Sequence, residues 1–236
     1  MTETVSAPRK TAKARSAAIA GYRKGDETRQ RLLEVALKAF GDASYKVATT
    51  RQIAEAAGVS LPTLQYYFDG KEGLYRACAE AIVERYRRHT LAAAAAAVEA
   101  LSAGGAAETA RLHLKALIHA LAGFLVGSRE AEGWAQFVAR EMRDPGPAFT
   151  ILYEKLWRPG VMTTARLIAR ILGVPEDDPG ARIRALLLLS SLLAFRSGRS
   201  IALRTMGWSV IGSPELAMVL SGLDSDIDAI GHGVPA

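Results

Sequence analysis

The stretch from 49 to 74, TTRQIAEAAGVSLPTLQYYFDGKEGL, constrains the fold of this chain more than any other feature. Its apolar residues recur at spacings that suit two short helices crossing on a shared core, with a break at Gly58. Glycine enters the left-handed backbone region without steric cost, so the chain can reverse direction at this residue. The pattern predicts a helix-turn-helix.

Both of these short helices have capping signals at their beginnings. Thr49 is a predicted N-cap, and Gln52 three residues later can complete a capping box. Ser60 is the predicted N-cap of the second helix, and Pro62 falls in its first turn, where the missing N–H costs nothing.

A further helix is expected to begin at Asp69, with Glu72 three residues later. Lys71 then lies in the first turn, where its ammonium group and the free backbone N–H groups can share a phosphate. The helix continues toward Arg88, which is long for a helix-turn-helix module alone. We therefore expect it to connect to a second domain.

Residues 59–74 resemble the signature of the TetR family of bacterial transcriptional repressors, V-S-x-x-T-L-Y-x-x-F-x-x-K-E-x-L, with Gln65 in place of the usual first tyrosine. A second resemblance lies in Arg140-Glu141-Met142, Pro145, Ala148-Phe149 and Leu152-Tyr153, a run similar to the CecR-like subgroup of C-terminal domains.

The resemblance implies an all-α protein with a three-helix DNA-binding domain and a larger helical domain for ligand binding and dimerisation. We expect the DNA-binding domain at residues 25–72 and the second domain at residues 73–236. Residues 1–24 have little apolar periodicity and are predicted to be a disordered basic tail, either simply solvated or inserted into a minor groove.

The helix from Ser60 to Tyr67 is expected to read the major groove of double-stranded operator DNA. Thr63, Gln65 and Tyr66 would face base edges or thymine methyl groups, while Arg51, Tyr67 and Lys71 would hold phosphates. The full predicted DNA-binding set is Thr50, Arg51, Ser60, Leu61, Pro62, Thr63, Gln65, Tyr66, Tyr67 and Lys71.

The distribution of charge agrees with DNA binding by the first third of the chain. Residues 1–89 contain 16 Lys and Arg against 10 Asp and Glu, whereas residues 90–236 contain 14 of each kind, so the net charge of +6 belongs to the first segment. Basic residues that neutralise phosphates supply most non-specific DNA affinity.

Apolar residues at helical spacing predict the remaining helices, and no strand pattern or internal repeat accompanies them. The first helix is expected to begin at its cap, Asp26, and paired glycines at 104 and 105 are expected to interrupt an alanine-rich helical segment. Later helices are predicted at residues 109–127, 130–143, 148–172 with a bend near Pro159-Gly160, 181–203 and 214–230.

Aromatic residues and a few charged residues cluster in the middle of the second domain, as they do in small-molecule sites. Aromatic side chains at this spacing are also common in an ordinary core. The predicted pocket for a small-molecule effector consists of Phe124, Trp134, Phe137, Arg140, Glu141, Phe149, Tyr153 and Trp157.

The segment 183–195 is almost uniformly apolar, which predicts a helix covered on more than one side. TetR-family proteins pair through their last two helices as a four-helix bundle, so the resemblance implies a homodimer. The predicted interface residues are Leu186, Leu189, Leu192, Leu193 and Arg196.

Other classes of function find little support. The four histidines are scattered without metal-ligand spacing, so no catalytic site, metal or cofactor is predicted. The longest apolar run is too short to cross a bilayer, and no secretory signal is present, so we expect a cytoplasmic protein without membrane contact. The single cysteine, Cys78, is either a core residue or a redox sensor.

The function predicted from the sequence is a ligand-released repressor that binds a palindromic operator as a homodimer. Two alternatives remain open at this point. An enzyme would use the pocket of the second domain for catalysis, and an interaction protein would keep the fold without binding DNA.

Overall fold

The computed structural model describes residues 10–128 and 132–231. The N-terminal helices are α1 (Lys10–Val47), α2 (Thr50–Ala56), α3 (Leu61–Phe68) and α4 (Lys71–Ser102). They are followed by α5 (Ala107–Leu125), α6 (Glu132–Arg143), α7 (Phe149–Leu152), a π-helical turn (Tyr153–Trp157), α8 (Arg158–Leu172), α9 (Pro179–Arg196), α10 (Arg199–Met206) and α11 (Ser213–Asp228). The all-α fold class is confirmed.

The helix-turn-helix forms as its local sequence predicts. The backbone N–H of Gln52 donates to Thr49 Oγ1 over 3.2 Å, and the backbone N–H of Thr49 donates to Gln52 Oε1 over 3.3 Å, which completes the capping box. Gly58 has a φ of 65°, in the left-handed region. The backbone N–H of Thr63 donates to Ser60 Oγ over 3.3 Å and caps α3.

Two predicted N-caps are wrong. Helix α1 runs through Asp26 and is already present at Lys10, the first described residue, so residues 10–24, which were expected to belong to a disordered tail, are helical in the structure. This segment is rich in Ala, Lys and Arg, and extending an existing helix costs less than nucleating a new one. Residues 1–9 of the predicted tail lie outside the described residues.

The second wrong N-cap is Asp69. This residue lies at the C-terminal end of α3, where its φ of 53° is in the left-handed region. The N-cap of α4 is Gly70, which offers no side-chain hydrogen bond. Only these two residues separate the helices, so a sharp reversal is required, and aspartate tolerates the left-handed region better than most residues.

The long predicted helices of the second domain are interrupted. The expected helix over 148–172 contains the π-helical turn just before Pro159, since a proline lacks an N–H and clashes with the carbonyl group four residues earlier. The predicted single helix over 181–203 is two helices, α9 and α10, which meet at 77°. An added Cβ at Gly198 would lie 2.6 Å from the carbonyl oxygen of Ala194, so this bend depends on glycine.

Two hydrophobic clusters hold the helices together. The first combines the buried residues of α1 to α3 and the first half of α4 with Phe124, Trp134, Phe137, Ala148 and Leu152. The second joins the end of α4 to α5, α8, α9 and α11. Helix α6 packs on α1, so the helix-turn-helix and the rest of the chain share the first cluster.

The contact between the end of α3 and the start of α4 depends on Gly73. An added Cβ at this position would lie 1.8 Å from the carbonyl oxygen of Phe68, a main-chain atom that cannot move aside cheaply. We expect Gly73→Ala to lower the free energy of unfolding by about 3 kcal/mol, the upper part of the range for overpacked sites.

The matched control for this prediction is Gly123→Ala, in the last turn of α5, where an added Cβ meets no described atom within 4 Å. This change should leave stability unchanged or raise it by up to about 0.5 kcal/mol, because alanine has the higher helix propensity and the full gain of about 1 kcal/mol applies to a helix interior. Chemical denaturation followed by circular dichroism measures both variants. Equal stability of the two variants would contradict the role given to Gly73.

Candidate nucleic-acid interface and effector cavity

Helix α3 presents one face to the core and another to solvent. Leu64 and Phe68, four residues apart, are buried against α2 and α4. Gln65 and Tyr66 lie on the opposite side, where Tyr66 is 85% exposed. A short rigid helix with exposed amide and phenol groups, placed after a capped turn, has the shape of a major-groove reading element.

The other residues of the predicted DNA-binding set surround this face with different degrees of exposure. Arg51, Ser60, Leu61 and Pro62 are exposed, whereas Thr50, Thr63, Tyr67 and Lys71 are half-buried. The hydroxyl of Thr63 lies 2.8 Å from Ser60 Oγ, so it already has a partner within the capped turn.

Lys71 is held at the end of α1. Its ammonium group donates to the carbonyl oxygen of Lys46 over 3.3 Å and lies 5.0 Å from the centre of the Tyr45 ring. A cation suits the negative end of a helix, and a ring face adds a cation–π contact. The sequence did not predict this link, which positions the cation between α1 and the uncapped beginning of α4.

Arg140 links helix α6 to α1 through hydrogen bonds. Its guanidinium donates to the carbonyl oxygens of Gly41 over 2.5 Å and Asp42 over 2.6 Å. The helical geometry of α1 breaks shortly afterwards at Ser44, which has a φ of 71°, and carbonyl groups before such a break lose their intrahelical donors. An added Cβ at Gly41 would lie 3.0 Å from Gln136 Cβ, so the two helices approach closely.

Glu141, which is only 1% exposed, links helix α6 to α4 through a hydrogen bond. The hydroxyl of Tyr75 donates to Glu141 Oε1 over 2.5 Å, and the backbone N–H of Gly146 donates to Oε2 over 3.1 Å. Burial, followed by the hydrogen bond to Glu141, raises the pKa of Tyr75 well above its usual range. The phenol therefore remains a donor across the neutral pH range.

An apolar cavity of about 230 Å³ lies beside α6. Trp134, Val138 and Met142, spaced by four residues, contribute to one wall. The other lining residues come from α4, α5, α7, the π-helical turn, α8 and α9: Tyr86, Leu121, Leu125, Leu152, Leu156, Trp157, Gly160, Val161, Leu186, Leu189, Ser190, Leu192 and Leu193.

Most of the predicted pocket residues lie elsewhere. Of the predicted set, Trp134 and Trp157 line this cavity, whereas Phe124, Phe137, Arg140, Glu141, Phe149 and Tyr153 do not. Phe124 and Phe137 belong to the first hydrophobic cluster, and Phe149 stacks on Tyr153 with ring centres 5.9 Å apart. Arg140 and Glu141 serve the helix contacts described above and do not line the cavity.

The predicted interface leucines lie on α9 beside the cavity. Leu186, Leu189, Leu192 and Leu193 line the cavity, and Leu192 is fully buried within its own subunit, so it is not available to a partner. Leu189, Leu193 and Arg196 are half-buried. The exposed apolar side of α9 is formed by Ile183, Leu186 and Leu187, which is 67% exposed.

Sequence reasoning missed most of the cavity lining, including Tyr86, Leu121 and Leu125. Their apolar spacing is the same as that of ordinary core residues, so the sequence held no signal that separates the two. Cys78, by contrast, follows the core interpretation: it is fully buried, and burial raises the pKa of its thiol.

Comparisons with known families agree with this architecture. The family described as bacterial regulatory proteins, tetR family, matches residues 32–78. The C-terminal domain of the HTH-type transcriptional dual regulator CecR matches residues 110–234. The chain belongs to the TetR family of transcriptional regulators, with a CecR-type C-terminal domain.

A relative of this TetR-family regulator is the HTH-type transcriptional dual regulator CecR of Shigella flexneri, which is 29% identical over 215 residues, 89% of this chain and 94% of the relative. Two solved structures share its fold. Mycobacterium smegmatis AmtR is 20% identical over 88% of this chain and 87% of that chain, with a TM-score of 0.57. A TetR-like transcriptional regulator from Rhodococcus sp. RHA1 is 18% identical over 86% of this chain and 96% of that chain, with a TM-score of 0.56.

Membership of the TetR family confirms that the chain is a DNA-binding transcriptional regulator and not an enzyme. Within the described part of the chain, no single helix has the length and apolarity needed to cross a membrane. By length and composition alone, α9 and α10 would pass that test as a bent pair.

The hydrogen bond between Tyr75 and Glu141 yields a test of the link between α4 and α6. Tyr75→Phe removes the hydroxyl and leaves the buried Glu141 carboxyl group with one donor fewer. We expect the free energy of unfolding to fall by about 1.5–3 kcal/mol, as for hydrogen bonds to charged groups. Tyr153→Phe, at a 43% exposed tyrosine, is the control and should change stability by less than about 0.5 kcal/mol. Similar denaturation midpoints for the parent, Tyr75→Phe and Tyr153→Phe would show that the hydrogen bond between Tyr75 and Glu141 does not contribute to stability.

Proposed function

We propose that this TetR-family regulator is a repressor that binds a palindromic operator as a homodimer and leaves it when a small molecule occupies the cavity beside α6. The observation that carries the proposal is α6 itself, which contributes Trp134 to the cavity wall and is bonded to α1 through Arg140 and to α4 through Glu141. A ligand that moves α6 would therefore also move the helices that position α3.

DNA reading is assigned to α3. Gln65 and Tyr66 point away from the core and reach base edges, while Arg51, Tyr67 and Lys71 hold phosphates next to the beginning of α4. The amide group of Gln65 lies beside Gly70, with Nε2 3.7 Å from the position of an added Cβ there. Its long side chain has room to swing from this position toward a base.

Dimerisation is assigned to the exposed apolar sides of α9 and α11. Ile183, Leu186 and Leu187 on α9 and Met218 on α11 expose large apolar surfaces in one subunit. Two-fold pairing of such surfaces buries the same patch on both copies. It would also place two α3 helices about 34–36 Å apart, the spacing of successive major grooves.

The operator is tested by selecting bound DNA from a random pool with the full-length protein. A palindrome with half-sites about one helical turn apart is the expected result. A single half-site would contradict binding as a homodimer. The relative in Shigella flexneri is named a dual regulator, so a promoter-reporter assay is needed to show the sign of regulation. Lower expression with the protein present supports repression, and higher expression contradicts it.

Truncation of Gln65 and truncation of Lys71 should change DNA binding in different ways. Lys71→Ala should weaken binding to all sequences alike and lower the salt slope by about one, because it removes a phosphate contact. Gln65→Ala should cost about 1–3 kcal/mol and relax the preference at one base step.

The measurement is binding to operator and single-substitution operator variants over a series of salt concentrations. Arg158→Ala is the control, since this exposed cation lies on α8 and pairs there with Glu154 over 2.8 Å. Its binding and salt slope should equal those of the parent. The same loss of specificity in the Gln65 and Lys71 variants would contradict the assigned roles.

Leu187→Arg tests the proposed dimer surface. The side chain is exposed in one subunit, so the variant should fold, but pairing would bury an unpaired charge at a cost of several kcal/mol. We expect sedimentation to show a monomer and operator affinity to fall by at least about a hundredfold. Leu91→Arg on α4, at a 64% exposed leucine, is the control and should remain a dimer. A parent that sediments as a monomer at micromolar concentration, or a Leu187→Arg variant that still dimerises, would contradict the proposal.

A further inference from the structure

The side chain of Lys71 is flexible by nature, yet its charged end is held in the structure. A lysine ammonium group lies at the end of several rotatable bonds, so ordering it on DNA costs conformational entropy. Lys71 Nζ lies over the Tyr45 ring, 5.0 Å from its centre, and donates to the carbonyl oxygen of Lys46 over 3.3 Å. An ammonium group has three N–H donors, so this hydrogen bond leaves others for a DNA phosphate. Lys71 is half-buried, and its side chain therefore stays partly accessible.

The ring of Tyr45 is itself held by other aromatic rings. Its centre lies 4.7 Å from that of Tyr75 and 6.3 Å from that of Phe40. Tyr75 and Phe40 are buried and make an edge-to-face contact of 4.8 Å with each other. Tyr75 also lies 4.7 Å from Phe137 on α6. Aromatic rings in such arrangements stabilise one another beyond the area that they bury. The ring below Lys71 is therefore anchored to the core that α1, α4 and α6 share.

The backbone directly before Tyr45 has an unusual conformation. Ser44 has a φ of 71° and a ψ of 164°, a combination that is found almost only in glycine. In a residue with a side chain this conformation is unfavourable, and it persists only where the surrounding structure determines it. Strained residues of this kind concentrate at functional sites. Here the strained residue immediately precedes the ring that carries the Lys71 cation.

We propose that Tyr45 is a positioning residue for DNA binding, because its ring holds the ammonium group of Lys71 where that group reaches a DNA phosphate. The proposal rests on the proposed function in that Lys71 binds a phosphate. Its own content is that Tyr45, which is outside the predicted DNA-binding set, contributes to DNA affinity through Lys71. The strength of a cation–π contact at an exposed site corresponds to a change in affinity of about two- to fivefold.

A double-mutant cycle tests this role with the full-length protein. The probe is a double-stranded DNA fragment of mixed sequence, since phosphate contacts supply essentially all non-specific affinity. The loss of affinity caused by Lys71→Met is measured in the parent and in the backgrounds Tyr45→Leu, Tyr45→Phe and Tyr153→Leu. Leucine at position 45 removes the ring face and phenylalanine keeps it. Tyr153→Leu makes the same replacement on the π-helical turn and is the matched control.

We expect Lys71→Met to lower the affinity of the parent and to lower its salt slope by about one. Tyr45→Leu alone should lower affinity by about two- to fivefold, and the loss caused by Lys71→Met should be smaller by the same factor in this background. In the Tyr45→Phe and Tyr153→Leu backgrounds, Lys71→Met should cause the same loss as in the parent. Equal losses in all four backgrounds would overturn the proposal, because Tyr45 would then support only the fold.

The same data separate this proposal from the phosphate contact assigned to Lys71. If Lys71→Met lowers affinity and salt slope equally in every background, the phosphate contact stands and the positioning role of Tyr45 is overturned. If Lys71→Met changes neither the affinity nor the salt slope of the parent, the phosphate contact is wrong and the positioning role is overturned with it.

A second measurement needs no variant at Tyr45 and therefore stands even if Tyr45→Leu fails to fold. Protons above the face of an aromatic ring are shielded, so the ε-methylene proton signals of Lys71 should lie upfield of those of Lys38, which is exposed on α1. The spectrum of Lys71→Met assigns these signals by their absence. They should remain upfield when the DNA fragment is added. Signals at the position of those of Lys38, with or without DNA, would overturn the proposal.

Discussion

The rest of the structure depends on the carboxyl group of Glu141, which is buried between the helix-turn-helix and the second domain. A carboxyl group in such a place is tolerated only when donors reach it, and Tyr75 on α4 and the backbone N–H of Gly146 do so. This arrangement fixes α6 relative to α4, while Arg140 on the same helix fixes it to α1. The position of α3 relative to the second domain therefore depends on these polar contacts as well as on the shared hydrophobic cluster around them.

These contacts give α6 its central place in the proposed mechanism. Within one helical turn the chain presents Phe137 to the shared core, Arg140 to α1 and Val138 to the cavity. A packed interior does not deform continuously, so a displacement on one side of such a helix is passed to its other contacts. Helix α9 has a similar double role, because its leucines form a cavity wall on one side and an exposed apolar surface on another.

The sequence by itself determined the helix-turn-helix almost completely. The capping box of Thr49 and Gln52, the cap at Ser60 and the left-handed Gly58 are all contacts between residues a few positions apart, so their geometry is fixed by local sequence. The errors at Asp26 and Asp69 arose because aspartate, although it favours N-caps, is also tolerated within a helix and in a left-handed turn, and the choice depends on the neighbouring helices.

Only the tertiary structure decided which aromatic and apolar residues line the cavity and which fill the core. The cavity combines residues from Tyr86 to Leu193, and apolar spacing along one helix does not reveal what lies across from it. For the same reason Arg140 and Glu141, predicted for a pocket, serve the contacts of α6 instead. Local sequence specifies caps and turns because their partners lie within a few residues, whereas a cavity is defined by helices that are distant in sequence and meet only after packing.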